Sequence, residues 1–465
     1  MFRSIVAATA LLTLFPSSGS ASPLGRWSAG KPYLQSRQQA STNSSVTSNG
    51  TTSNAAAWDW TGDVKLNGVA LGNWLLLEQW MDQLWFTTAS GNDSSIVDEW
   101  TFSEALGDRA QSVLEEHWNT WITDDDIRII SESGFNHIRI PIGYWAFMNE
   151  PAGTPYVSMG GQLEQMTRVI ESAANYGLYV IIDLHGLPGS QNGEQASGHV
   201  GYNNFYQQQN QDYSDTLIDL AIEYIQNSTH RDIITALATC NEPVFYSQDQ
   251  FDTLIGYYER AYAKLSTTNP PIPMMFHPGH PEKSPMGLFQ SFINGKDPQL
   301  LIYEDHPYPG RLQPETSLSA LTSQICAKAE SYESYGIPVA VTEWSISTAT
   351  WNDPSFDSAF WSTQLRAWSQ AAGAVFWSYR VNAYTEMFNQ TENFTLYSFY
   401  HLREGGNIPL PSAGQNTQDY IFSLDNACNF GTPTEIAGTV VSSVMPTVSG
   451  AFTKRAAVAQ ATQVA

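Results

Sequence analysis

Eight short apolar runs, separated by longer and mostly amphipathic segments, constrain this chain more than any other feature. The runs are Leu66–Gly72, Asn136–Ile142, Leu178–His185, Ile233–Asn241, Pro273–His277, Leu300–His306, Val339–Glu343 and Ala374–Ser378. Most are continuously apolar rather than alternating, as expected of parallel strands covered on both faces. Helical periodicity falls between them, at Thr123–Ser133, Gln162–Tyr176, Asp215–Asn227, Asp249–Thr267, Leu318–Tyr335 and Phe356–Ala371. Thr123-Asp124-Asp125-Asp126 reads as an N-terminal cap, and Gly134 and Gly177 read as stop signals. Eight strands with intervening helices predict an α/β chain, a (β/α)8 TIM barrel in one catalytic domain. The alternative is an open doubly wound sheet, but no G-x-G-x-x-G follows the first run to support a dinucleotide-binding version.

The ends of the runs carry polar and aromatic residues, where such a barrel keeps its reactive groups. They include Arg139-Ile140-Pro141, Asp183-Leu184-His185-Gly186, Asn241-Glu242-Pro243, Glu304-Asp305-His306-Pro307-Tyr308, Thr342-Glu343-Trp344 and Phe376-Trp377-Ser378-Tyr379. Glu242 and Glu343 end the fourth and seventh runs, which face each other across a small barrel. Two facing carboxyl groups suit glycosidic cleavage: Glu242 as acid/base and Glu343 as nucleophile, about 5–5.5 Å apart for a double displacement. Arg139 is the cation expected to keep the nucleophile ionised. Asn241, His185 and His306 are neutral hydrogen-bonding neighbours suited to an acid that must hold a proton. Tyr308 is a donor to the nucleophile, and Trp377 offers an apolar face to a sugar ring. Burial of the carboxyl groups implies a mildly acidic optimum.

Other chemistries find less support. His185, His306, Glu242 and Asp183 could bind zinc, but the chain has no H-E-x-x-H, and neither metal nor cofactor is expected. Gly189-Ser190-Gln191-Asn192-Gly193 does not match the G-x-S-x-G elbow of serine hydrolases. A net charge of −24, from 45 acidic and 21 basic residues, repels nucleic acid and anionic membrane surfaces but not a neutral polysaccharide. Only 14% of residues are charged, against roughly 25% in ordinary soluble domains, so polarity rests on hydroxyl, amide and aromatic groups.

Residues 1–21 read as a signal peptide: Arg3, an apolar stretch Ile5 to Phe15, then Ser18-Gly19-Ser20-Ala21. Residues 22–57 read as a disordered Ser/Thr/Asn-rich leader, 58–431 as the catalytic barrel, and 432–465 as a flexible tail with Lys454-Arg455. Sequons at Asn43, Asn49, Asn92, Asn227, Asn389 and Asn393 fit a secreted monomer. Of three cysteines, Cys240 lies between an apolar run and Asn241-Glu242 and reads as buried and free, which leaves Cys326 and Cys428 as the candidate bridge.

The stretches Gly68 to Trp74 with Glu78, Phe135 to Tyr144, Asp183 to Gly193, Asn241-Glu242-Pro243, His306 with Tyr308, Thr342 to Ser345 and Phe376 to Tyr379 resemble glycoside hydrolase family 5. Within it they are most similar to the fungal secreted exo-β-1,3-glucanases. The resemblance implies β-glucan as substrate, Glu242 as acid/base, Glu343 as nucleophile, and Arg139, His185, Asn241, His306, Tyr308 and Trp377 around the glucose at the cleavage point. It also implies that Glu78 and Asn192 bind the non-reducing end and close the pocket to exo action. Gly72-Asn73-Trp74 replaces the family's usual Gly-Gly-Trp, and the regions around Pro307 and from Arg380 to Asn407 differ too. Endo action on β-1,6- or β-1,4-glucan, or glucan binding without turnover, are the alternatives.

Overall fold

The computed structural model describes residues 58–279, 286–311, 317–348, 353–382 and 394–431. Eight parallel strands close a barrel in chain order: β1 (Leu66–Ala70), β2 (His137–Gly143), β3 (Tyr179–Gly186), β4 (Ile234–Ala238), β5 (Met274–Phe276), β6 (Leu301–Asp305), β7 (Val339–Trp344) and β8 (Gly373–Phe376). Each falls on one of the eight apolar runs. β8 pairs with β1 to close the ring, with Leu66 opposite Gly373. A Cβ at Gly373 would sit 2.1 Å from the Leu66 carbonyl oxygen, and its φ is +114°, so only glycine fits this seam.

The barrel's two faces explain the sequence pattern. Outward residues such as Ile138, Ile140, Ile182 and Leu237 pack in one large core with the helices. Inward residues such as Ala70, Ile181, Ala236, Met275, Ile302, Ala340 and Val375 fill the inside as a second core. Both sets are apolar, so the strands read as unbroken runs.

The helices Asp124–Glu132, Gln162–Asn175, Gln248–Ser266 and Pro354–Trp368 fall within two residues of their predicted starts. Thr123 and Asp126 form a reciprocal capping box. Gly134 and Gly177 adopt positive φ, 84° and 72°, just past two helices. The fifth predicted segment splits into a helix, Leu318–Ser331, and a tighter 3-10 turn, Tyr332–Tyr335. The helix predicted at Asp215 starts earlier, at Gln208. Its first turns are polar, and Asn210 and Gln211 are buried there because Asn210 donates to the Asn204 carbonyl and Gln211 to the Phe205 carbonyl. Three helices with no sequence prediction, Gln83–Ala89, Glu99–Leu106 and Ala110–Trp121, lengthen the crossover from β1 to β2.

Cys326 is joined to Cys428, 102 positions further along the sequence, and Cys240 is buried as a free thiol. Asn92 and Asn227 are exposed. No helix among the described residues is long and apolar enough to cross a membrane. The predicted signal peptide, leader and tail, and the sequons at Asn43, Asn49, Asn389 and Asn393, lie outside the described residues.

Candidate active site

The polar strand ends converge at one mouth of the barrel. On β2, inward alternation places Arg139 fully buried among carboxylates. Its Nη1 donates to Glu343 Oε1 at 2.7 Å, and its Nη2 donates to Asn241 Oδ1 at 3.0 Å. The same Nη2 lies 3.1 Å from Asp183 Oδ2 and 3.7 Å from Glu304 Oε1. Burial opposes the guanidinium charge, but the Asp183, Glu343 and Glu304 carboxylates outweigh it and hold its pKa above the ordinary value. Arg139 therefore stays charged at the centre of the cluster.

Glu343 has a donor on each oxygen. Arg139 serves Oε1, and the Tyr308 hydroxyl donates to Oε2 at 2.7 Å. Two donors, one of them a fixed cation, fix the orientation of the carboxylate. Along a regular strand Thr342 and Glu343 would point to opposite faces. The pairing of β7 with β8 breaks register between Val341 and Trp344, which lets both reach the mouth.

Glu242 lies past the end of β4 in a left-handed conformation, φ 44°. A non-glycine residue held there is strained, as is common at reactive sites. His306 Nδ1 is 2.7 Å from Glu242 Oε1 and 3.6 Å from Glu343 Oε2. One oxygen of each carboxylate therefore lies within about 6.3 Å of the other, below the roughly 6.5–9.5 Å of inverting pairs.

The chain of hydrogen bonds behind His306 locates a proton. The Thr342 hydroxyl donates to Glu304 Oε1 at 2.8 Å, so its oxygen accepts from His306 Nε2–H at 3.0 Å. With Nε2 protonated, the short contact between Nδ1 and Glu242 must carry one further proton, on the acid or on the imidazole. Burial opposes the imidazolium, but Glu343 and Glu242 outweigh it and raise the His306 pKa.

On β3, His185 Nδ1 donates to Asp183 Oδ2 at 2.6 Å. Its Nε2 faces the Asn241 amide at 3.4 Å. Burial disfavours the Asp183 carboxylate, but Arg139 and His185 more than compensate and lower its pKa. Trp377 stacks parallel to His185 with ring centres 5.4 Å apart, and Arg139 lies 6.0 Å from the Trp377 ring.

Glu78 accepts from Trp80 Nε1 at 2.9 Å, and its backbone N–H is held by Asn73 Oδ1 at 2.8 Å. Burial pushes its carboxyl up to about 7; His185 pulls it down, and Glu343 and Glu242 push it further up. These influences put Glu78 within electrostatic reach of both glutamates. Asn192 is tied to the cluster through its neighbour: Gln191 Nε2 donates to the carbonyls of His185 and Asn241, both at 2.7 Å. The Asn192 amide nitrogen is buried with no protein acceptor.

Sequence reasoning assigned no role to Glu304, Thr342 or His277. Their signal was alternation, since Glu304 is two residues from His306 and shares its face of β6. His277 follows β5, and its ring centre lies 4.5 Å from that of His306. Glu242, His277 and His306 bring one ligating atom each within 4.8 Å of one another. His306 spends both nitrogens on Glu242 and Thr342, a pattern suited to a hydrogen-bonded acid rather than a metal's ligand sphere. Asp183 and His185, the other metal candidates, are bonded to each other.

The model of the cellulase family (glycosyl hydrolase family 5) matches residues 103–383. A "probable glucan 1,3-beta-glucosidase A" from Aspergillus terreus is 39% identical over 251 residues, 52% of this chain and 56% of the relative. A glucan 1,3-beta-glucosidase from Pichia angusta is 36% identical over 265 residues, 54% of this chain and 56% of the relative. The chain thus spans little more than half the length of these two relatives. Among solved structures, rutinosidase from Aspergillus niger is similar at 26% identity and a TM-score of 0.68, over 76% of this chain and 99% of that one. The family match covers well over half of the chain, and the closed barrel agrees with it: the chain belongs to glycosyl hydrolase family 5.

Proposed function

We propose that this chain is a retaining β-glucan hydrolase that releases glucose from the non-reducing ends of β-1,3-glucan. One observation carries the reading. A single imidazole nitrogen approaches both carboxylates, at 2.7 and 3.6 Å, so their nearest oxygens lie no more than about 6.3 Å apart, which supports double displacement over inversion. Glu343 attacks the anomeric carbon while Glu242 protonates the departing glycosidic oxygen. Glu242 then takes a proton from water, which attacks the same carbon and frees Glu343. Arg139 and Tyr308 hold the Glu343 carboxylate in place. The linkage rests on likeness to the glucan 1,3-beta-glucosidases. The buried, unspent amide of Asn192 and the largely protonated carboxyl of Glu78 suit hydrogen bonding to sugar hydroxyls at the closed end. The Cys326–Cys428 bridge and the exposed sequons at Asn92 and Asn227 support secretion.

A second reading, action on a rutinoside, is favoured by the match to nearly the whole rutinosidase chain. Product analysis on laminarin, β-1,6- and β-1,4-glucans and rutin separates the readings. Glucose from laminarin, formed first as the β-anomer by NMR, is expected. Only oligosaccharides from laminarin, turnover confined to rutin, or binding without turnover would reject the proposal. Glu343→Gln should lower turnover by a thousandfold or more, roughly the loss of a nucleophile; unchanged activity rejects the assignment.

A further inference from the structure

Glu99 is a buried acid that the reaction does not use. It opens the helix Glu99–Leu106, which Asp98 caps, with Asp98 Oδ1 accepting from the Thr101 N–H at 2.7 Å. Only 1% of Glu99 is exposed. Its Oε2 accepts from the Leu77 N–H at 2.7 Å, and its Oε1 accepts from the Trp145 indole at 2.9 Å. Burial pushes its carboxyl up to about 8 against these two donors, and Asp98 pushes it further up; no cation offsets the burial. For stability alone, an apolar side chain of similar volume would avoid the cost of burying a charge.

Both donors stand on loops at the barrel mouth. Leu77 precedes Glu78, whose own N–H is held by Asn73 Oδ1 and whose Oε2 accepts from the Trp80 indole at 2.9 Å. The Asn73 carbonyl is held in turn by His117 Nε2 at 2.6 Å. Glu99 thus fixes the last backbone N–H before Glu78. Trp145 is itself wedged in place: a Cβ on Gly143, at the end of β2, would lie 2.4 Å from its ring, and one on Gly198, in the loop after β3, would lie 2.6 Å from it. Beside Glu99, Asp98 Oδ2 accepts from the Val200 N–H at 2.6 Å, and the Trp100 N–H donates to the Gly198 carbonyl at 3.1 Å. One helix start therefore ties together the loops after β1, β2 and β3.

We propose that Glu99 is a positioning residue for Glu78: tethered to Trp145, it holds the Leu77 N–H and so sets the backbone from which the Glu78 carboxyl meets a sugar hydroxyl. This rests on the reading of Glu78 given above. A carboxylate suits the place because both of its oxygens accept. An amide of the same size has one acceptor, and its NH2 group would face either the Leu77 or the Trp145 N–H.

The test is Glu99→Gln, alone and combined with Glu78→Gln. On an aryl β-glucoside, Glu99→Gln should raise KM by about threefold to tenfold, roughly the worth of one hydrogen bond, with kcat within about twofold of the parent. Added to Glu78→Gln it should raise KM no further, because it acts through Glu78. An unchanged KM, a fall in kcat alone, or losses that simply add overturns the proposal. If Glu78→Gln leaves KM unchanged, or the parent hydrolyses no β-glucoside, the sugar-binding reading fails by itself, and positioning is judged without substrate. In protein labelled with 15N at tryptophan, the Trp80 indole reports the Glu78 carboxyl. The Trp60 and Trp361 indoles, bonded to the Thr235 carbonyl and the Tyr420 hydroxyl, serve as controls. Glu99→Gln should shift the Trp80 resonance and leave both controls in place. A stationary Trp80 resonance, or all three moving together, overturns the positioning role. Should Glu99→Gln not fold, Trp145→Phe keeps a ring but removes the donor to Oε1, and the same three resonances decide by the same outcomes.

Discussion

Thr342→Val removes one hydroxyl from the interior and should move the alkaline limb of activity. Thr342 is fully buried and bridges His306 Nε2 to Glu304 Oε1 at 3.0 and 2.8 Å. Valine keeps the shape but neither accepts nor donates. His306 then loses the acceptor that fixes its Nε2–H form and supports the imidazolium. In either form, the proton shared with Glu242 becomes easier to lose. A net hydrogen bond is worth about 0.5–1.5 kcal/mol, so the shared proton should leave at a pH lower by about 0.4–1 unit. The limb belongs to the coupled pair rather than to either residue. The assay is kcat/KM against pH on an aryl β-glucoside, which reports the free enzyme. Thr342→Ser should restore the parent profile, because serine keeps the hydroxyl. A folded Thr342→Val protein with an unmoved alkaline limb would refute the relay from Glu304 to Glu242.

Two stability predictions follow from the same structure. Burial holds the Glu78 carboxyl at about 7 against an ordinary 4.5. The folded state therefore binds this proton more tightly than the unfolded state. Stability from this group is intact below pH 4.5 and is lost as pH rises through about 7, by about 3 kcal/mol in all. Glu78→Gln should gain on the parent by about that amount between pH 4 and pH 8 in urea denaturation. A pH-independent difference between the two proteins refutes it. Cys326→Ser opens a bridge spanning 102 residues and should lower stability by about 2–5 kcal/mol in the same assay, with kcat unchanged in native buffer. An unchanged unfolding midpoint would show that the bridge adds nothing to stability.

Much of the fold was legible because its physics is local and repeated. A strand covered on both faces must be apolar throughout, so Leu178–His185 and Val339–Glu343 announced themselves in one dimension. Thr123 followed three residues on by Asp126 is a cap that its own segment completes. Gln208–Ser214 was missed because its buried polar side chains Asn210 and Gln211 are satisfied by carbonyls of the preceding loop, which period alone does not encode. The three helices between β1 and β2 lie in a crossover with no strand run to frame them.

The residue types at the strand ends were set by sequence alone: two glutamates, one arginine, and histidines and aromatics beside them. Their meeting was decided by the closed barrel, which carries Arg139 to Glu343 across 204 residues of chain. Alternation alone would send Thr342 and Glu343 to opposite faces, and only the register break in β7 turns both into the mouth. Only the left-handed backbone at Glu242 aims that side chain from beyond its strand. Such deviations from regular geometry are set by packing against distant residues, and no local pattern in the chain records them.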